Sequence, residues 1–326
     1  MTTLAAPSIA ETEALFGRIL DGELSDAETT AAILAMSDRG ETAEDIAGVA
    51  LAMRARMIPV KAPANAIDVC GTGGDGQHSL NVSTAVAIVV AAAGVPVAKH
   101  GNRAASSKAG GADTLEALGL NLDRASERAE ETLADLGLAF LFAQKHHPAL
   151  ARLAPIRKAI GKRTIFNLTG PMCNPAGVTR QLVGVANPAY VPIYRDALKL
   201  VGCGAALVVA GEEGLDELSI DGPSLTAALN CGNVPASLVP EDAGLPSHSL
   251  EELRGGDAAY NAAALRRLLS GEAGAYRDAV LLNAAAALVL AGEAGDLRDG
   301  AEEAAEVIDK GLAKALLDCW IATTSN

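Results

Sequence analysis

The chain has 326 residues, with 26 Lys and Arg against 40 Asp and Glu, so its formal net charge is −14 at pH 7. Half of the residues are hydrophobic and only 3% are aromatic, a composition typical of globular proteins rather than of disordered or collagen-like chains. At about 150 residues per domain, this length predicts roughly two domains. Because so acidic a chain repels the phosphates of nucleic acids, we expect no nucleic-acid partner.

The cysteines and the apolar runs bear on where the protein is located. Five cysteines are scattered without the short spacing of a metal site, and an odd number cannot pair fully within one chain; reduced thiols are typical of the cytoplasm. The N-terminus lacks a basic segment followed by an apolar one, and the longest apolar run, residues 85–98, is too short to span a bilayer. The sequence thus predicts a soluble cytoplasmic protein with no membrane segment.

Helical signals fill the first sixty residues, and none of them indicates a strand. Ser25 followed by Glu28 forms a capping box before an Ala-rich stretch, and Thr42 followed by acidic residues opens a second helix. The C-terminal third, from about Tyr260 to Trp320, also has helical apolar spacing.

Between these helical ends, short β runs alternate with helical stretches. The runs are AIDVC, VPVAK, LAFLF, QLVGV and ALVVA. Such alternation predicts an α/β fold with a mostly parallel central sheet covered by helices. We therefore expect a small helical domain, residues 1–65, joined by a short segment near residues 162–185, and a larger α/β domain, residues 66–326.

A glycine-rich loop follows the first β run directly. Residues 71–76 read GTGGDG, and a helix is predicted to begin near Asn81. Glycines let backbone N–H groups line a concavity, and a helix N-terminus favours an anion. A flexible turn and a dinucleotide site are the alternatives; the latter is disfavoured because the next β run ends in Lys99-His100 rather than in an acidic residue.

Two further clusters follow the ends of predicted strands. Residues 99–113 carry cations, hydroxyls and glycines where so acidic a protein would usually have acidic residues, and Asp216-Glu217 lies on a turn after ALVVA. Adjacent carboxylates suit Mg²⁺, and ligands of open parallel sheets bind beyond the carboxyl ends of strands. Surface turns are the alternative for both. Because the sequence shows no nucleophile motif, we expect group transfer by positioning and electrostatics.

Four motifs in order resemble the anthranilate phosphoribosyltransferase family. They are DVCGTGGDGQHSLNVST, VAKHGNRAASSKAGGADTLEALG, HHPALARLAPIRKAIGKRTIFNLTGPMCNPA and GLDELS. The resemblance implies the nucleoside-phosphorylase-like phosphoribosyltransferase fold, a homodimer formed through the helical domain, and an active site between the domains. It also implies transfer of the phosphoribosyl group from phosphoribosyl pyrophosphate to anthranilate, with two Mg²⁺, in tryptophan synthesis.

The resemblance further implies roles for individual residues. Lys99 would stabilise the leaving diphosphate as the catalytic residue. Anthranilate would contact Gly71, Asn102 and Arg157, and Mg²⁺ would be bound by Ser83, Asp216 and Glu217. The implied contacts to phosphoribosyl pyrophosphate are Gly71, Gly74, Asp75, Ser79, Asn81, Val82, Ser83, Thr84, Lys99, His100, Gly101, Asn102, Arg103, Ala104, Ala105, Ser106, Ser107 and Gly111.

Small departures from the family pattern weaken individual hydroxyl contacts. They are Ser79-Leu80 where Thr-Phe is frequent, Ala109 and Gly111 where Ser is frequent, and Thr169 where Leu is frequent. Two other functions remain open on the same fold: a pyrimidine nucleoside phosphorylase, and a non-catalytic nucleic-acid-binding relative, which the net charge disfavours. A dehydrogenase is a more distant alternative.

Overall fold

The computed structural model describes residues 7–104, 108–232 and 234–325, in which helices pack on both faces of one seven-stranded sheet. The α-helices are α1 (Ile9–Asp21), α2 (Asp26–Arg39), α3 (Ala43–Arg54), α4 (Val82–Ala92), α5 (Gly111–Leu118), α6 (Leu122–Glu127), α7 (Ala129–Asp135), α8 (Ala143–His146), α9 (Ala154–Ile160), α10 (Ile165–Thr169), α11 (Tyr190–Leu200), α12 (Ala258–Leu269), α13 (Ala275–Ala291), α14 (Leu297–Asp309) and α15 (Leu312–Ser325). The strands are β1 (Ile67–Gly71), β2 (Val97–Gly101), β3 (Leu138–Phe142), β4 (Arg180–Gly184), β5 (Ala205–Gly211), β6 (Ser224–Leu229) and β7 (Ser237–Leu238). Short 3₁₀ helices span Pro148–Leu153, Gly170–Cys173, Pro240–Ala243 and Leu250–Leu253.

The first three helices begin at capping boxes. The side chains of Ser8, Ser25 and Thr42 each accept a hydrogen bond from the third residue of the helix that follows, which satisfies an N–H that has no partner within the helix. The predicted helices after Ser25 and Thr42 are confirmed. No strand occurs in residues 7–60, and the predicted helical C-terminal third is confirmed as α12 to α15.

The sheet is mostly parallel, as predicted. Its strand order is β3-β2-β1-β4-β5-β6-β7, in which the first five strands pair in parallel and β6 and β7 add an antiparallel edge. All five predicted β runs form strands, with ends shifted by at most two residues. The sequence reading missed β6 and β7, because SLTAAL is partly exposed and lacks the run of large apolar residues that marks the central strands.

Side chains of the central strands alternate between two hydrophobic clusters. Val69, Leu182 and Leu207 pack on the face covered by α4, α13 and their neighbours. The next residue of each strand, such as Val183 or Val208, packs on the opposite face with α3 and α11. Burial on both faces explains why these strands are mostly apolar.

The second cluster joins the N-terminal helices to a later segment. The rings of Phe16 and Phe166 meet edge to face with centroids 5.8 Å apart, and the Arg54 Nε donates to the Met172 carbonyl over 2.6 Å. Helix α10 and the following 3₁₀ helix therefore pack on the first three helices. The domain boundaries inferred from the sequence stay a prediction. Within the described residues, no helix is both long and apolar enough to cross a membrane.

Candidate active site

The predicted site loops meet where the chain changes direction across the sheet. From β1 the chain adds β2 and β3 on one side, whereas β4 and β5 continue on the other side. In parallel sheets, the crevice beyond the carboxyl ends of the strands at such a reversal is the usual place for a ligand. The glycine-rich loop follows β1, residues 102–110 follow β2, and the acidic turn follows β5.

The glycine-rich loop has a conformation that needs its glycines. Gly73, Gly74 and Gly76 have φ of 72°, 72° and 77°, in the left-handed region that most other residues avoid. The Thr72 N–H donates to the Gly184 carbonyl over 2.9 Å, and the Gly73 N–H donates to Asp216 Oδ2 over 2.6 Å. The loop is therefore fixed to β4 and to the acidic turn.

The acidic turn directs two half-buried carboxylates toward this loop. Glu217 Oε1 accepts from the Ser83 N–H at the start of α4 over 3.1 Å, whereas Glu217 Oε2 is buried without a hydrogen-bond partner. Burial raises the pKa of both carboxyl groups; the charge of Asp75 adds to the effect on Asp216, and that of Asp216 to the effect on Glu217. Paired carboxylates with an unpartnered oxygen fit a divalent cation, which would remove their repulsion.

A cation at this turn would need ligands beyond the protein. Among the described residues, no group of three or more His, Cys, Asp and Glu side chains is arranged to hold a metal ion. Mg²⁺ commonly takes only one or two carboxylates and completes its shell with water and substrate phosphate. The Asp216-Glu217 pair, with Ser83 beside Glu217, suits such a shared site.

Lys99 lies in the middle of β2 and is only 5% exposed. Its ammonium donates to the Val69 carbonyl of β1 over 2.7 Å, and its positive charge lowers the pKa of Glu217 against the larger effect of burial. An ammonium has three N–H donors, so Lys99 can donate to the Val69 carbonyl and to a bound anion at the same time. Its predicted catalytic role is not tested by these contacts.

The end of β2 carries a buried histidine, and exposed polar residues follow it. His100 Nδ1 lies 3.1 Å from the Gly170 carbonyl oxygen, and burial lowers the pKa of His100 to about 3. Asn102 and Arg103 are exposed, and Arg103 pairs with Asp113 and Glu116. Of the remaining predicted donor contacts, Ala105, Ser106 and Ser107 lie outside the described residues.

Gly111 and Asn81 bring the start of α4 close to the segment that follows β2. A Cβ on Gly111 would stand 2.9 Å from the Thr84 hydroxyl oxygen, and Asn81 Nδ2 donates to the Ala109 carbonyl over 3.3 Å. The residues predicted to contact phosphoribosyl pyrophosphate at the start of α4 and after β2 are therefore neighbours. Their contact with a substrate stays a prediction.

Arg157 lies on α9, which packs against α2 of the N-terminal helices. Its guanidinium stands 5.5 Å from the centre of the Phe166 ring, and burial lowers the pKa of Arg157. In the part of the chain that the structure describes, no hydrogen bond or ion pair neutralises it. A half-buried cation of this kind can receive a carboxylate.

Sequence reasoning missed several residues that hold the site together. Asp68 accepts from Asn174 Nδ2 over 2.8 Å and from the His100 N–H over 3.2 Å, and Arg163 donates to the Gly74 carbonyl over 2.9 Å. Asn283 of α13 accepts from the Leu218 N–H and donates to its carbonyl. Asp68, Asn174 and Arg163 lie within the quoted motifs. Asn283 lies in an apolar helix, where only its polarity could have identified it.

Comparison with known proteins places this geometry in a family. Residues 63–314 match the sequence model described as the glycosyl transferase family, a/b domain, and residues 5–57 match the helical bundle domain of the same family. An anthranilate phosphoribosyltransferase from Novosphingobium aromaticivorans is 66% identical over 314 residues, which cover 96% of this chain and 95% of that protein. The chain belongs to the anthranilate phosphoribosyltransferase family.

Solved structures of anthranilate phosphoribosyltransferases have the same fold. The enzyme from Thermus thermophilus is 42% identical, with a TM-score of 0.94 over 99% of this chain and 97% of that one. The enzyme from Saccharomyces cerevisiae, solved in complex with PRPP and Mg, is 28% identical with a TM-score of 0.88 over 98% and 93% of the two chains. The same yeast enzyme has also been solved with 4-fluoroanthranilate.

Proposed function

We propose that this chain transfers the phosphoribosyl group of 5-phosphoribosyl 1-pyrophosphate (PRPP) to the amine of anthranilate. The products are N-(5-phosphoribosyl)anthranilate and pyrophosphate, as in the second step of tryptophan biosynthesis. The observation that carries the proposal is the Asp216-Glu217 pair, held by the Gly73 and Ser83 N–H groups against the glycine-rich loop at the carboxyl edge of the sheet. This pairing of an anion cradle with cation ligands suits a diphosphate donor.

The reaction needs no covalent intermediate on the protein. The amine nitrogen forms a bond to C1 of the ribose while the bond from C1 to the pyrophosphate oxygen breaks with both electrons, and the amine then loses one proton. An aromatic amine is largely unprotonated at pH 7, and we assign no general base. Catalysis therefore rests on holding the substrates in line and on stabilising the charge that grows on pyrophosphate.

Separate groups of residues would hold the donor. Lys99 and the N–H groups of the glycine-rich loop would stabilise the diphosphate, and residues 99–107 would bind the diphosphate and the ribose. Further contacts to PRPP would come from Gly71, Gly74, Asp75, Ser79, Asn81, Val82, Ser83, Thr84 and Gly111. Because Lys99 is buried against β1, its charge would act in a place of low dielectric constant, where it is worth more than in water.

Ser83, Asp216 and Glu217 would hold Mg²⁺, and we infer two ions for each site. When bound, Mg²⁺ supplies positive charge that stabilises the leaving pyrophosphate. The protein holds both carboxylates in place from the backbone, through the Gly73 and Ser83 N–H groups.

The acceptor side of the proposal involves Gly71, Asn102 and Arg157. Anthranilate has one carboxylate beside an aromatic amine, so that a planar guanidinium next to the Phe166 ring suits it. Gly71 lets the end of β1 approach the Asp216-Glu217 turn closely, because a Cβ at this position would stand 2.2 Å from Asp216 Oδ2.

We also infer a homodimer formed through the helical domain, and a cytoplasmic location. The five cysteines are all unpaired, in keeping with a reducing compartment. Sedimentation of the purified protein tests the first inference, and cell fractionation the second. A monomer at micromolar concentration would overturn the dimer.

The decisive assay mixes the protein with anthranilate, PRPP and Mg²⁺ and follows the loss of anthranilate fluorescence. We expect the fluorescence to fall only when the protein, PRPP and Mg²⁺ are all present. No loss at any Mg²⁺ concentration would overturn the proposal. Two further arms distinguish the alternatives: release of a pyrimidine base from nucleoside and phosphate would indicate a phosphorylase, and a salt-sensitive gel shift would indicate nucleic-acid binding.

A further inference from the structure

Residues 78–81, which lead from the glycine-rich loop into α4, are clamped by a segment far along the chain. The Leu80 N–H donates to the Leu253 carbonyl over 2.8 Å, and the Gly255 N–H donates to the His78 carbonyl over 2.8 Å. Ser79 and Arg254 form an antiparallel bridge between these bonds. Residues 253–256, the clamping segment, therefore pair through their main chain with residues 78–81.

The clamp holds an unfavourable backbone conformation. His78 has a φ of 54°, in the left-handed region that residues other than glycine seldom adopt. A Cβ on Gly255 would stand 2.8 Å from the Ser79 carbonyl oxygen, so that the two segments approach as closely as glycine allows. Strain of this kind persists only where surrounding contacts hold it, and it occurs often at binding sites.

One buried side chain joins the two segments. Asn261 of α12 is 2% exposed. Its Oδ1 accepts from the Gly256 N–H over 2.8 Å, and its Nδ2 donates to Asn81 Oδ1 over 3.0 Å. A single amide group therefore fixes the clamping segment and the first residue before α4 relative to each other.

Asn81 in turn connects two segments of the proposed PRPP site: the one that leads from β1 into α4 and the one that follows β2. We call these segments the two phosphate loops. Its Oδ1 also accepts from the Thr114 hydroxyl over 2.5 Å, its Nδ2 donates to the Ala109 carbonyl, and its own carbonyl accepts from the Tyr276 hydroxyl over 3.2 Å. Displacement of Asn81 would therefore move the loop after β1 relative to the loop after β2.

We propose that Asn261 is a positioning residue for the donor site. It touches neither reacting group; it holds Asn81, and through Asn81 both phosphate loops, in the geometry that receives the donor. A site fixed before binding loses less conformational entropy when its ligand arrives. This inference rests on the proposed function, because it takes PRPP as the ligand of these loops.

The test compares Asn261→Ala and Asn261→Ser with the wild-type protein. Alanine removes both hydrogen bonds, and serine is too short to reach both partners. The control is Tyr194→Phe, which removes a buried hydrogen bond of 2.7 Å to the Leu168 carbonyl on the opposite face of the sheet. For each protein, calorimetry gives the Kd of PRPP with Mg²⁺, steady-state kinetics give the KM of anthranilate, and thermal unfolding gives Tm.

We expect the Asn261 variants to raise the Kd of PRPP by at least about tenfold, which corresponds to about 1.4 kcal/mol. The KM of anthranilate, at saturating PRPP, stays within about threefold, or less than about 0.7 kcal/mol. Tyr194→Phe should lower Tm with no effect on the Kd of PRPP. Should Asn261→Ala not fold, the serine variant carries the same test.

An unchanged Kd of PRPP, or a rise that Tyr194→Phe matches at equal Tm, would overturn the positioning role. Weakening of both substrates to the same extent would also overturn it. Failure of the wild-type protein to bind PRPP at all would instead overturn the proposed function, so the two failures are distinguishable.

Discussion

Gly184 lies so close to Asp216 that a Cβ on the glycine would stand 1.6 Å from the Asp216 carbonyl oxygen. The end of β4 and the acidic turn therefore pack backbone against backbone. A larger residue at position 184 would clash with the main chain of Asp216, and rotation of a side chain could not remove that clash. This contact sets the distance between the glycine-rich loop and the two carboxylates.

Gly184→Ala should displace the acidic turn. We expect the free energy of unfolding to fall by about 1–3 kcal/mol, the usual cost of overpacking, and Mn²⁺, used as a paramagnetic substitute for Mg²⁺, to bind more weakly in the presence of PRPP. Urea unfolding and electron paramagnetic resonance measure the two effects. Gly222→Ala is the control, since a Cβ there meets nothing within 4 Å. Wild-type Mn²⁺ affinity in Gly184→Ala would contradict this account of the contact.

Replacement of both Asp216 and Glu217 by Ala should raise the Mg²⁺ concentration needed for half-maximal rate by at least about tenfold, or about 1.4 kcal/mol. The physical reason is the loss of both carboxylate ligands from a site in which Mg²⁺ has few protein ligands. A Mg²⁺ titration of the initial rate measures it. The matched control is the Glu212→Ala, Glu213→Ala pair, because these two residues lie on the same turn but are exposed. The same Mg²⁺ requirement in both double variants would remove Asp216 and Glu217 from the metal site.

Lys99→Ala should lower kcat by about 10²–10³, corresponding to about 2.7–4 kcal/mol, with a smaller effect on the KM of PRPP. Loss of the buried ammonium removes positive charge near the pyrophosphate as its negative charge develops. Steady-state kinetics with PRPP varied measure both constants, and Lys108→Ala, an exposed cation of the next loop, is the control. A rise in KM at constant kcat would show that Lys99 binds the ground and transition states equally.

Arg157→Ala should raise the KM of anthranilate by at least about tenfold, or about 1.4 kcal/mol, while the KM of PRPP changes little. Arg157→Lys should recover only part of the loss, because an ammonium cannot reproduce the planar guanidinium. The neighbouring Lys158→Ala, at an exposed position, should leave both constants near wild type. Equal effects of Arg157→Ala on both substrates would show that the acceptor carboxylate is bound elsewhere.

His147 should make stability depend on pH. Burial lowers the pKa of His147 from its ordinary value of 6.5 to about 4, so that the unfolded chain takes up a proton before the folded one as the pH falls. Its contribution to the free energy of unfolding is complete above pH 6.5 and is lost between pH 6.5 and about 4, with a slope that approaches 1.4 kcal/mol per pH unit.

Urea unfolding at pH 7 and at pH 5 tests this dependence on wild type and His147→Gln. We expect the stability difference between the two proteins to change by about 1–2 kcal/mol between these pH values, with the wild type losing more. Parallel losses in both proteins would show that His147 does not titrate as its burial requires.

The sequence by itself determined the fold class, the central strands and the order of the candidate loops. The strands from Ile67 to Gly71 and from Ala205 to Gly211 are mostly apolar because both faces of a parallel sheet are buried. The capping box at Ser25 acts over three residues and needs no tertiary contact. The glycines of the first loop are likewise a local requirement of backbone conformation.

Only the tertiary structure decided which polar side chains hold these loops in place. Asn261 reaches Asn81, and Asn283 reaches Leu218, across long separations in sequence, from helices that appear only as apolar repeats. The strand order that puts β4 between β1 and β5, and so Gly184 beside the Asp216 turn that follows β5, also follows from the packing of the whole chain. Local patterns record which residues are buried. They do not indicate which distant group forms a hydrogen bond with a buried polar atom, although burial makes such a bond necessary.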